Sequence, residues 1–320
     1  KREGADSADA VLFNATSIEV AQRLGKPEKL ERSETADLGL RVFVGKSQAI
    51  VSSTDFSENA LKETVERSMA MARAAPEDPW CGIAEPNQIF TDLVDLDIHD
   101  PIEPSTETLI EKVREAEDAG RGVPGVTNSE GAEAGWSNAQ VALATSNGFA
   151  QDYSLSSHSI SVSVLAGKGT EMERDYDFAT AVHAEDLPKP SEIGLNAGNR
   201  AVKRLNPKKI KTSKIPVIFS PRVANSFLKY LSSSINGNSI TRGTSFLKKK
   251  LNKKIFSSDI NITDDPLKKR GLQSKPFDGE GLETKKTQII KNGKLKTWFL
   301  DLATAHQLKL KSTAHASRDI

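Results

Sequence analysis

The 320-residue chain has one cysteine, three tryptophans and only 6% aromatic residues. A lone Cys81 excludes an intrachain disulfide and any cysteine cluster for zinc or an iron–sulfur centre. It follows Pro79 and Trp80, has no histidine nearby in sequence, and reads as structural. There is no apolar run of about 18 residues to span a bilayer. Nor does a charged start lead into an apolar stretch with a small-residue cleavage site. A cytoplasmic protein without membrane contact is therefore expected. No His-Glu-x-x-His pair, Gly-x-Ser-x-Gly elbow or Walker A loop occurs, which removes the commonest local signatures of a zinc peptidase, a serine hydrolase and a P-loop enzyme. The five histidines, His99, His158, His183, His306 and His315, are scattered. Only the fold could bring His306 to His315, and each is expected to be a surface or structurally satisfied histidine.

What is present is enough hydrophobic residue, 37%, for about two globular domains. Net charge is only +1 but unevenly spread: residues 1–200 hold 18 basic and 35 acidic side chains, and the remainder holds 26 and 8. Halves of −17 and +18 suit mutual screening, an acidic partner or a nucleic-acid surface. The lysine runs, Lys208 to Lys211, Lys248 to Lys254 and Lys268 to Arg270, lack the interleaved aromatics of single-strand binders. That argues against nucleic acid. The composition changes near residue 205, so domains are expected over 1–205 and 206–320.

Periodicity gives a coarse element list. Ala10 to Arg23 alternates as a strand, and Leu40 to Val44 with Gln48 to Val51 flanks Gly45 as a hairpin. Asp55 and Glu58 fit a capping box before a helix bearing Leu61, Val65 and Met69. Pro76 to Pro86 reads as a loop. Ser105 opens a second helix that buries Leu109, Val113 and Ala116 and stops at Gly120. Gly122 to Gly135 reads as turns, and Asn147-Gly148 joins strands Ala139–Thr145 and Tyr153–Leu165. Ser191 is expected to cap a helix reaching Leu205. Ile215 to Phe219 reads as a short strand, and Pro221 opens a helix whose Val223, Phe227 and Leu231 share a face, with Gly237 closing it. Further strands are expected at Ile260–Thr263, Thr287–Ile290 and Leu295–Leu300, then a helix over Asp301–Leu308.

Two loops carry carboxylates. Asp264-Asp265-Pro266 could bind a hard cation but suits a strand-ending turn. Phe277-Asp278-Gly279-Glu280-Gly281 allows close approach to a ligand, or equally a bulge.

These segments together resemble the TldD/PmbA family of peptidase-related proteins, also called modulators of DNA gyrase. The resemblance runs through Gly39 to Val44, Ala144 to Phe149 and the serine-alternating strand to Leu165. It continues through Arg242-Gly243-Thr244-Ser245, Asp264-Asp265, Phe277 to Gly281 and Thr313 to Arg318. It implies an α+β fold with mixed sheets in two domains, the second one incomplete here. TldD-type members carry His-Glu-x-x-x-His on a helix, whose histidines hold zinc and whose glutamate activates water. Aligned on that motif, Lys229 and Ser234 stand at the histidines and Tyr230 at the glutamate. An ammonium has no lone pair for zinc, and a neutral tyrosine is no base near pH 7.

The resemblance thus implies a PmbA/TldE-type subunit with no catalytic residue or metal of its own. It would work beside a TldD-type partner that carries zinc, in proteolysis of unfolded or modified precursor peptides. Arg242, Gly243, Thr244, Ser245, Asp278, Gly279, Glu280 and Gly281 would meet the peptide or the partner. The alternative is a regulatory interaction protein acting on DNA gyrase or another nucleic-acid enzyme.

Overall fold

A computed structural model describes residues 2–90 and 94–318. Its N-terminal part is one six-stranded sheet made of β1 (Ser7–Arg23), β2 (Lys26–Val44), β3 (Ser47–Ser53), β4 (Val126–Thr145), β5 (Ala150–Ala166) and β6 (Glu173–Ala181). The order is β3-β2-β1-β4-β5-β6, and every neighbouring pair is antiparallel. With the helices described below, the fold is α+β.

Alternation decides which face each strand buries. Ile18 and Val20 of β1, Ala132, Ala134 and Trp136 of β4, and Ile160, Val162 and Val164 of β5 form one buried layer. Helices α2 (Thr106–Arg121) and α3 (Pro190–Lys203) cover it with Leu109, Val113, Ala116, Ile193, Ala197 and Ala201. The two helices meet at small residues: a Cβ on Gly194 would lie 2.1 Å from the Ala116 carbonyl oxygen. Helix α1 (Glu58–Ala74) packs Met69 and Ala72 on Val42 and Ala49 at the other end of the sheet.

Glu117 of α2 is fully buried, and its carboxylate accepts from Gln22 Nε2, Leu24 N and Gly25 N at 3.0, 2.6 and 3.0 Å. Burial pushes this acid up, but the bonds from Gln22, Ser129 and the two turn amides prevail and hold it below the usual range. A carboxylate thereby fastens the β1–β2 turn, where Leu24 and Gly25 both take positive φ.

The C-terminal part comprises α4 (Pro221–Ile235), α5 (Gly237–Thr241), α6 (Leu302–Leu308) and a small sheet of β7 (Ile262–Asp264), β8 (Thr287–Lys291) and β9 (Lys294–Leu295). Its core joins Leu231, Ile235, Ile240, Ile290, Leu295 and Leu300. Three arginines of this basic part reach carboxylates of the acidic part. Arg222 meets Asp175 at 2.8 Å, Arg270 meets Asp97 and Glu185 at 2.6 Å each, and Arg318 meets Asp9 at 2.9 Å. Part of the charge asymmetry is therefore consumed inside the molecule.

Several elements differ from expectation. Ser57, not Asp55, caps α1, and Asp55 instead accepts from the Ser57 amide. Of the residues read as turns, Gly122 to Gly125 do form turns, but Val126 to Gly135 belong to β4, which absorbs register shifts near Asn128 and Gly131 as bulges. Strand β6 and the first half of β2 escaped the pattern because few large apolar side chains mark them. Lys189 precedes α3 rather than Ser191, and Gly237 opens α5 instead of merely closing α4. Ile215 to Phe219 joins no sheet: Ile215 is 56%, Val217 65% and Ile218 95% exposed. Among the described residues no helix is long and apolar enough to cross a membrane.

Candidate functional site

The positions of interest fall in two places. The first is α4. Lys229 and Tyr230 are exposed there, Tyr230 by 69%, and the Ser234 hydroxyl donates back to the Tyr230 carbonyl at 2.8 Å. Residues Arg242 to Ser245 border the end of this helix. Gly243 takes a left-handed φ of 76° after α5, and Ser245 Oγ donates to the Ser234 carbonyl. Arg242 is exposed. The donor set of α4 does not fit a zinc ion, since a lysine ammonium and a hydroxyl spent within its own helix supply no imidazole or carboxylate. Among the described residues no three His, Cys, Asp or Glu side chains gather as a metal site.

The second place is the seam where the loop Asp278 to Gly281 meets the open face of the sheet. Asp278 is buried, 1% exposed, and accepts from the amides of Glu280, Leu282 and Ala316 at 2.9, 3.0 and 3.0 Å. The Gly279 amide returns a bond to the Ala316 carbonyl, so the loop and the segment Ala316 to Arg318 are stitched together. Burial pushes the Asp278 carboxyl up, and the three amides pull against that. Glu280 accepts from the Leu302 amide at the start of α6. Burial first, then the charges of Asp278 and Asp301, push its carboxyl up to about 8. Gly281 has φ of 79° and lies against the Phe149 ring. No hydrogen bond or ion pair joins Arg242–Ser245 to Asp278–Gly281 among the described residues.

Sequence reading missed the ion chain beneath this seam. Asp9 is 3% exposed, with one oxygen on Arg318 Nε and the other on Arg41 Nε and Nη2 at 2.7 and 2.6 Å. Asp9 and Arg41 are cross-strand partners of β1 and β2, so strand register makes the pair. The available signal was an aspartate on a buried stretch of strand, which requires a partner.

A second missed arrangement is a relay. His315 stacks on Phe299 at 4.1 Å, with Nδ1 2.9 Å from Thr313 Oγ1 and Nε2 3.3 Å from Asp264 Oδ2. Thr313 Oγ1 also accepts from the Leu300 amide, which makes it a strut between segments. Asp265 pairs with Lys286 at 2.8 Å, in keeping with a turn. His306 faces the Trp80 carbonyl, away from this relay.

Three family models cover most of the chain: the PmbA/TldA metallopeptidase domain 1 over residues 8–72, the central domain over 99–205 and the C-terminal domain over 212–320. The chain belongs to the TldD/PmbA family. Metalloprotease PmbA of Escherichia coli O157:H7 is 35% identical over 312 residues, an alignment covering 97% of this chain and 69% of that protein. A PmbA homolog of Haemophilus influenzae is 30% identical over 311 residues, with the same coverage of each. Among solved structures, a Bacteroides thetaiotaomicron protein proposed to modulate DNA gyrase superposes with a TM-score of 0.92 at 23% identity, over 99% of this chain and 72% of that one. TldE from Thermococcus kodakarensis gives 0.84 at 22% identity, over 100% and 72%. At those identities the structures establish the fold, and the sequence relatives establish membership of a metalloprotease family.

Proposed function

We propose that this chain is the metal-free, PmbA/TldE-type subunit of a TldD/PmbA metallopeptidase assembly, pairing with a zinc-bearing TldD-type subunit to cut unfolded or modified precursor peptides. The observation that carries this reading is the chemistry of α4. The helix that resembles the family's metal helix presents Lys229, Tyr230 and Ser234, and the Ser234 hydroxyl is committed to the helix backbone. Peptide handling without hydrolysis is compatible with the sheet, whose outer strands β3 and β6 could take an extended peptide through backbone bonds.

Peptide cleavage tests it, measured for the chain alone, for a TldD-type subunit alone and for their mixture. Cleavage is expected in the mixture, and Lys229→Ala should leave it nearly intact. Lys229→His with Ser234→His should not confer activity, because a base and a third ligand would still be missing. Robust cleavage by this chain alone, abolished by Lys229→Ala, would refute the reading. Steeply salt-dependent duplex DNA binding near physiological salt would favour a gyrase-directed role instead.

A further inference from the structure

Beside Asp278 and Gly279 the seam holds an open cavity of about 300 Å³ whose occupant the roles above leave unnamed. Its floor comes from strand register. Val11 pairs with Leu143, Phe13 with Val141, and Val141 with Tyr153, so five side chains on three adjacent strands project from one face. The Phe277 ring forms a wall, 5.1 Å from Phe149 and 5.2 Å from Tyr153, edge-on to both. The opposite rim is formed by Gly279 and Ala316 to Arg318. A Cβ on Gly279 would fall 2.8 Å from the Arg318 nitrogen, so this rim is in tight contact.

The polar groups of the lining divide sharply. Asp278 has both oxygens committed to backbone amides, and Arg318 is engaged with Asp9. The Lys275 ammonium and the Ser317 hydroxyl have no hydrogen-bond or ion-pair partner among the described residues. Lys275 is half-buried, and its charge is close enough to act on Asp278. Arg318 and Arg41 are both paired with Asp9, which leaves Lys275 as the cation of the lining without an ion pair among the described residues.

We propose that this cavity is a subsite for the C-terminal residue of a peptide, with an apolar side chain on the strand floor and the terminal carboxylate on Lys275 and Ser317. The volume lies at the small end of ligand pockets, which suits one residue and excludes a longer segment. An apolar floor beside an ammonium without a partner among the described residues selects a group that is greasy at one end and anionic at the other. Naming a peptide end as that group rests on the peptidase-family reading; the chemistry selected rests on the cavity.

The test is fluorescence anisotropy of a labelled peptide ending in Ala-Ala-Leu, as free acid and as carboxamide, titrated with the protein by itself. The acid should bind about tenfold more tightly than the amide, the usual worth of a charge-assisted hydrogen bond. Lys275→Met should erase the discrimination, Lys275→Arg should retain it, and Val141→Trp should weaken both probes by filling the floor. Thermal melting of each variant confirms that it is folded. Equal binding of acid and amide, no saturable binding of either, or discrimination surviving in Lys275→Met would overturn the proposal. Because no hydrolysis is read, that failure leaves the subunit assignment standing, and failure of the mixing assay leaves this binding result standing.

Discussion

Helices α2 and α4 are nearly equal in length, at 16 and 15 residues, yet they meet opposite fates. Leu109, Val113 and Ala116 of α2 are all but inaccessible against β4 and β5. On α4 the apolar positions Val223 and Phe227 remain 50% and 51% exposed, and only Leu231 and Ile235 reach a core. The extended residues Ile215 to Phe219 run up to α4 equally uncovered. Amphipathic spacing therefore specifies that a helix has an apolar face, and the surface offered to that face is a separate matter. The N-terminal sheet supplies such a surface over its full breadth. The small β7–β8–β9 sheet, ten residues in all, covers only the end of α4.

The contrast predicts a graded series of effects. Leu109→Ala, in the covered layer, should cost about 2–5 kcal/mol in chemical denaturation. A loss below about 1 kcal/mol would mean that the α2 face is looser than its burial implies. Gly194→Ala should come next, at about 1–3 kcal/mol, because the added methyl meets the Ala116 carbonyl and must part α2 from α3.

Glu280→Gln probes the seam between the two regions through pH. With a folded pKa of about 8 against an ordinary 4.5, Glu280 keeps a proton that the unfolded chain gives up. Stability should therefore fall as pH rises from about 4.5 to 8 and level off above that. The glutamine variant, whose amide oxygen still accepts from Leu302, should lack this fall. It should be on the order of 4 kcal/mol more stable than wild type at pH 8 and within about 1 kcal/mol of it at pH 5. Parallel stability profiles for the two proteins would refute the shifted acid.

At the other end of the series, Ile218→Ser in the uncovered tract should change stability by less than about 0.5 kcal/mol while reducing binding of a hydrophobic dye. A loss comparable to that of Leu109→Ala would show that the tract is covered in solution.

The same contrast explains what could be read from the residues alone. Ser105 and the spacing of Leu109, Val113 and Ala116 announced α2, because cap and periodicity agree locally. Tyr153 to Leu165 announced β5 through its alternation with serines, and Asn147-Gly148 announced the reversal before it. Strand β4 was half hidden because Gly131, at φ of 112°, belongs to a bulge that looks like a turn in sequence. The α4 positions Lys229, Tyr230 and Ser234 came from resemblance, since nothing in their spacing names a metal site. The seam was illegible for a different reason. Asp9, Arg41 and Arg318 are brought together by strand pairing and by a contact spanning 309 residues, and no local pattern encodes either. Arg270, which joins Asp97 to Glu185 and Asp186, is another case in which distant charges meet only after folding.

The order of the six strands also has a consequence for how the chain comes into being. Strand β1 sits in the middle of the sheet between β2 and β4, with Asp9 opposite both Arg41 and Thr145. During synthesis β1, β2 and β3 can form a meander early, but the other flank of β1 has no partner until β4 emerges, over a hundred residues later. For that interval the flank of β1 from Asp9 to Gln22 presents unpaired backbone donors and acceptors. Pairing across so long a separation closes slowly. Ribosome-bound chains halted after α1 should therefore need a chaperone to stay soluble, whereas chains long enough to expose β4 should not.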